Sequence, residues 1–141
     1  MKKKGSLSKA LDKYKDMGAS VRVGVLEDAT YPDGTSVAQV AFWNEYGTAT
    51  TPSRPFFRST VNDNRKAWVQ NTKNLIKLHN DPNKVMGLMG EHIKGQIVQS
   101  IVGWASPPNA PYTIRMKGFN KPLIDSGQLS RSISYEIGGN E

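Results

Sequence analysis

PFFRSTVNDNRKAWVQNTKNLIKL, residues 55–78, is the stretch whose reading decides the fold. Phe57, Val61, Asn64, Trp68, Asn71, Leu75 and Leu78 recur at 4-3-4-3-4-3 spacing, which is the period of one helix face and not of a strand. Asn64 and Asn71 interrupt the apolar stripe. Pro55 suits the first helical position, where its missing N–H would have had no partner. The helix is expected to stop near Asn80, Asp81 and Pro82, and Asp81 or Asn83 to start the next. That one carries Met86, Met89, Ile93, Ile97 and Ile101 on one face, with Val85, Leu88, Val98 and Val102 beside them. Gly87, Gly90 and Gly95 lie within it, each at a cost of up to about 1 kcal/mol relative to alanine. Close packing or a bend is the expected compensation.

Working outward, Ser36 is placed to cap a short helix ending at Tyr46, with Gly47 just past it. Val37, Val40, Ala41 and Asn44 mark one face, and Phe42, Trp43 and Tyr46 make much of the rest apolar. A short helix apolar almost all round is either central to the core or covered by a neighbouring subunit. Upstream, Val21, Val23 and Val25 alternate with Arg22 and Gly24 as a half-buried strand, and residues 27–34 are turn-rich. Leu7, Ala10, Leu11 and Tyr14 give helical spacing between Ser6 and Met17. Downstream, Gly103–Pro122 has no helical period and many prolines, although Tyr112–Lys117 allows a short strand. Asp125, Ser126 and Gly127 open one turn through Leu129, with Asp125 or Ser126 as its cap. Ile133, Tyr135 and Ile137 alternate as a last strand. These readings give an α+β fold: a small antiparallel or mixed sheet packed against long amphipathic helices, in one domain over residues 1–141. Residues 1–5 are expected to form a flexible basic N-terminus, 103–122 an extended loop arm and 138–141 a loose end.

Composition narrows the function. Without cysteine the chain has no disulfide and no thiolate metal site. No apolar run approaches the length that spans a bilayer, and Lys2, Lys3 and Lys4 lead into no apolar segment of the signal-peptide kind. The net charge of +7 is concentrated early, where Lys2, Lys3, Lys4, Lys9, Lys13, Lys15 and Arg22 meet only Asp12 and Asp16. Such a segment is either a solvated tail or an arm touching phosphates without reading sequence, since no sequence-reading motif accompanies it.

Catalytic chemistry is missing from the pattern. His79 and His92 form no i, i+4 pair. The glycines at 87, 90 and 95 lack the order of a phosphate-binding loop, and no G-x-S-x-G elbow occurs. Glu45 and Asp125 are a conceivable carboxylate pair, but a salt bridge and a helix cap account for them more simply. No enzyme activity, cofactor or metal is expected.

Three segments taken together resemble one family. Val21-Arg22-Val23-Gly24-Val25-Leu26 is followed by Tyr31-Pro32-Asp33-Gly34. Asn44-Glu45-Tyr46-Gly47-Thr48 runs on to Arg54-Pro55-Phe56-Phe57-Arg58. Pro122-Leu123-Ile124-Asp125-Ser126-Gly127-Gln128-Leu129 leads to Ser132-Ile133-Ser134-Tyr135. In this order the motifs are similar to those of the neck or tail-completion proteins of tailed bacteriophages, the minor tail or virion-morphogenesis type. The resemblance spans nearly the whole chain, though the middle helices match only in character.

It implies a structural virion protein at the head–tail junction, assembled in the bacterial host cytoplasm. It implies a ring of six or twelve copies around passing genomic DNA, with a head-completion or adaptor protein on one side and a tail terminator or tail tube on the other. Beside it stand readings of the residues themselves. Glu45 and Arg54 flank a short loop and either pair across it, fixing how the long helix begins, or are solvated separately. One of Phe56 and Phe57 suffices for the core, and the other either packs there too or is an interface anchor. Trp104, Tyr112, Ile114 and Phe119 give the 103–122 arm apolar surface that a solvated loop has no reason to carry. The alternative function is a nonspecific nucleic-acid-binding module using Lys2, Lys3 and Lys4.

Overall fold

A computed structural model of the chain describes residues 8–9, 19–120, 123 and 127–138. Lys2, Lys3 and Lys4, most of the helix expected over Ser6–Met17, the capping residues Asp125 and Ser126, and residues 139–141 lie outside the described residues. The fold is α+β, with long helices packed on a two-stranded antiparallel sheet. Its elements are β1 (Ser20–Gly24), α1 (Val37–Tyr46), α2 (Phe56–Leu78), α3 (Pro82–Gly103), α4 (Pro111–Lys117), α5 (Gln128–Arg131) and β2 (Ser134–Gly138).

α2 and α3 form an antiparallel-type hairpin joined by a short turn. Asp81 ends the turn by accepting the N–H groups of Asn83 and Lys84 at 3.0 and 3.3 Å, with Pro82 in the first helical turn. On α2 the row that meets α3 runs Phe56, Thr60, Asn64, Trp68, Thr72 and Ile76, every step an i+4, and each is buried or half-buried. This row crosses the expected 4-3 stripe at Asn64 and Trp68, and the stripe's other members from Phe57 to Leu75 are half-buried too. An i±4 row winds slowly around the helix, and packing along it is a common way for helices to cross. Of the stripe only Leu78, the last residue of the helix, is left exposed, at 76%. The helix also starts at Phe56, with Pro55 as its cap residue and not its first member. The polar interruption at Asn64 has a partner across the interface. Gln96 on α3 donates to Asn64 Oδ1 at 3.0 Å and accepts from the Trp68 indole N–H.

The sheet rests on α3. β1 and β2 pair from Ser20↔Gly138 through Arg22↔Glu136 to Gly24↔Ser134, and Arg22 and Glu136 form an ion pair across the outer face. Gly90 explains how the strands come so close: a Cβ there would stand 2.6 Å from Tyr135 Cδ2 and 2.9 Å from Val21 Cγ2. A Cβ on Gly87 would make only ordinary contact with the Ile137 side chain, at 3.4 Å, and one on Gly95 would meet nothing within 4 Å. Close packing therefore accounts for Gly90 and leaves the other two glycines unexplained.

The main core joins Val37, Phe56, Ile97, Ile101, Leu123, Leu129 and Ile133. Half-buried Phe57 and Trp104 pack against it. A second, smaller cluster of Ile76 and Val85 closes the far end of the hairpin, against Ala19 and Leu75.

The arm differs from its expectation. Residues 112–117 form no strand but belong to helix α4, and the arm is thus not extended throughout. Pro111 stands at its start, and Gly118, at φ 81°, ends it by donating its N–H to the Ile114 carbonyl at 2.8 Å. No residue of α4 is buried.

Candidate functional site

Most of the residues singled out by sequence meet at the junction of α1 and α2. Ser36 starts α1, its hydroxyl accepting the Gln39 N–H, and Gly47 ends it, its N–H donating to the Trp43 carbonyl at 2.7 Å. Gly47 needs its φ of 77°, and a Cβ there would sit 2.9 Å from the Ser53 nitrogen. The loop then turns back so that the Arg54 N–H donates to the Asn44 carbonyl at 2.6 Å.

Glu45 and Arg54 do not pair across this loop. The buried Glu45 carboxylate instead accepts the backbone N–H groups of Phe57 and Arg58, each at 2.9 Å. It is therefore the cap that Pro55 cannot provide, and its charge suits the positive end of α2. The Arg58 Nε also donates to Glu45 Oε1 at 2.9 Å. Arg54 turns the other way: buried, it donates from Nε to the Pro107 carbonyl at 2.9 Å and from a terminal nitrogen to the Pro108 carbonyl at 3.0 Å. Its burial lowers its pKa. The 103–122 arm is thus pinned at its root to the α1–α2 junction.

Arg58 closes the Arg54–Arg58 motif, but the sequence reading gave it no role of its own. Its signal was a cation in the first turn of a helix, where the dipole disfavours positive charge unless a carboxylate compensates. Its guanidinium lies 4.5 Å over the Tyr46 ring, whose centroid is 4.8 Å from that of Phe42. Carboxylate, guanidinium and two rings thus make one contiguous stack of contacts.

This stack borders an exposed apolar face. Phe42, Trp43 and Tyr46 are 56%, 41% and 55% exposed, while α1 buries only Val37 and Glu45. The helix is therefore not central to the core. A cavity of about 260 Å³ opens on one side of the α1 ridge, lined by Val25, Ala41, Phe42, Tyr46, Phe57 and Arg58. On the other side, Asp33, Val40, Trp43 and Gln128 border a larger one of about 400 Å³. Phe56 is core and Phe57 half-buried at the first cavity. Gly127, at φ 78°, precedes α5, and Leu129 is buried in the core.

The remaining interface candidates divide. Trp104 and Ile114 are half-buried, whereas Tyr112 and Met116 are 65% and 70% exposed and Phe119 also faces outward. Among the described residues, no three His, Cys, Asp or Glu side chains converge where they could hold a metal ion. Among them too, no helix is long and apolar enough to cross a membrane. No protein-family model, curated protein or solved structure matches the chain.

Proposed function

We propose that this chain is a non-catalytic structural subunit of the head–tail neck of a tailed bacteriophage, forming a ring of six or twelve copies around the DNA channel. The motif resemblance suggests the place. The observation that carries the reading is the aromatic face of α1, left to solvent while the helix beneath it is fixed by a buried carboxylate. Exposed Trp, Tyr and Arg side chains beside a cavity are the usual anchors of a protein interface. A head-to-tail ring supplies a cover, because each subunit presents one surface to a different surface of the next. The test is a reconstruction of the particle. Six or twelve copies between portal and tail are expected; a lone copy, an isologous dimer or absence from the particle overturns the reading.

A nonspecific nucleic-acid module is the second reading, and one observation favours it. Arg65, Lys66, Lys73 and Lys77 lie within about a third of the circumference of α2, and none has an ion-pair partner among the described residues. DNA binding that weakens steeply between low and high salt, and more so than it does after these four are changed to glutamine, would support it.

A further inference from the structure

The exposed face of α1 and the arm differ in charge as well as position. Between Arg22 and Arg54 the sequence has no lysine or arginine but has Glu27, Asp28, Asp33 and Glu45. Glu45 is taken by Arg58, whereas Glu27, Asp28 and Asp33 are exposed and have no ion-pair partner among the described residues. Asp33 borders the same cavity as Trp43. Its carboxylate accepts the Thr35 N–H at 2.9 Å, which holds its pKa below the ordinary value.

The arm is the converse. Between Glu91 and Asp125 there is no acidic residue, Arg115 and Lys117 belong to α4, and Lys121 follows four positions later in the sequence. Tyr112 and Met116, an i, i+4 pair, share a face of this helix, and the Lys117 ammonium lies 5.1 Å from the Phe119 ring centroid. Within one chain the two surfaces leave each other exposed, although Arg54 pins the root of the arm beside α1. Each thus carries what the other lacks: apolar rings with acids on one, apolar side chains with cations on the other.

We propose that the α4 arm of one copy docks on the acidic, aromatic α1 face of the next copy, with Tyr112 and Met116 against the Phe42–Trp43–Tyr46 ridge and Arg115 and Lys117 toward Asp33, Glu27 and Asp28. The contact is heterologous, since arm and face are different surfaces, and it repeats without using itself up. This deepens the ring reading and rests on it for closure into a ring. Opposite charge directs the docking, and like charges across it oppose it.

The chain has no cysteine, so single cysteines report the contact directly. Gln39→Cys on the exposed side of α1 and Ala110→Cys at the start of α4 are made in separate full-length chains, mixed, and treated with a short bismaleimide. Mixed cross-links should exceed like-with-like ones by about tenfold, as expected of a charge-directed contact. Adding Glu27→Lys, Asp28→Lys and Asp33→Lys to the Gln39→Cys chain should abolish the excess. Adding Arg115→Glu, Lys117→Glu and Lys121→Glu to the Ala110→Cys chain as well should restore it. A statistical mixture, an excess of like-with-like products, or indifference to charge reversal overturns the proposal. A neck ring whose copies cross-link only statistically would discard this contact and keep the neck. A selective cross-link in a chain absent from the particle would do the reverse.

Discussion

Arg58 holds Glu45 twice, donating from Nε to the carboxylate at 2.9 Å and from a terminal nitrogen to the Glu45 main-chain carbonyl at 2.9 Å. The two contacts are unequal in consequence, because Glu45 is buried and the Arg58 side chain is about half exposed. Glu45→Ala leaves two N–H groups of α2 and one guanidinium without their acceptor and should cost about 2–4 kcal/mol. Arg58→Ala should cost about 1 kcal/mol. Urea denaturation of both single variants and the double variant checks this; equal costs would mean that the cap contributes nothing beyond the ion pair.

Two glycines of α3 should respond in opposite directions. Gly90→Ala puts a methyl group against Tyr135 and Val21, and the overpacking, about 1–3 kcal/mol, should outweigh any gain in helix propensity. Gly95→Ala meets open space and should stabilise by up to about 1 kcal/mol. Thermal unfolding distinguishes the two directly.

Removing the aromatic face should separate folding from assembly. Phe42→Ser with Trp43→Ser takes away side chains already about half exposed, at a cost of about 1–2 kcal/mol, so the subunit should still unfold cooperatively. Incorporation into particles should fall below detection. Normal incorporation would show that this face is not an interface.

The arm should be the least protected part of the free subunit, for α4 buries nothing. Hydrogen exchange over residues 111–117 is expected to be fast in free protein and slow in assembled particles. Arg54→Lys replaces two separately placed guanidinium nitrogens with one ammonium at the end of a flexible stem, and it should speed exchange further while costing about 1–3 kcal/mol. Strong and equal protection in both states would make the arm part of the subunit's own core.

The long helices and both strands were legible because each repeats its period often enough to be recognised, and the Asp81 cap and the Gly47 stop are local signals. α4 was not, since seven residues hold too few turns to display a period. Its two markers, Pro111 at the start and Gly118 at the end, lay among other prolines that read as loop. The partner of Glu45 was missed for another reason. Sequence distance favoured Arg54 across the loop, but a helix directs its first N–H groups and its third residue toward one point, and that point is where the carboxylate lies. The α2 stripe pointed the right way, since its members from Phe57 to Leu75 are all half-buried, but Asn64 interrupts an apolar pattern only until Gln96 is placed opposite it, and that pairing depends on how two helices cross.

The register that sets Ser20 opposite Gly138 has a topological consequence. Where β1 begins, β2 ends, so Ser20 and Gly138 stand together at one corner of the sheet. A short linker there would make the described fold an almost closed circuit, and the chain could be reopened in an exposed loop such as 48–51. The order in which the elements are synthesised would change, and the arrangement in which they pack would not.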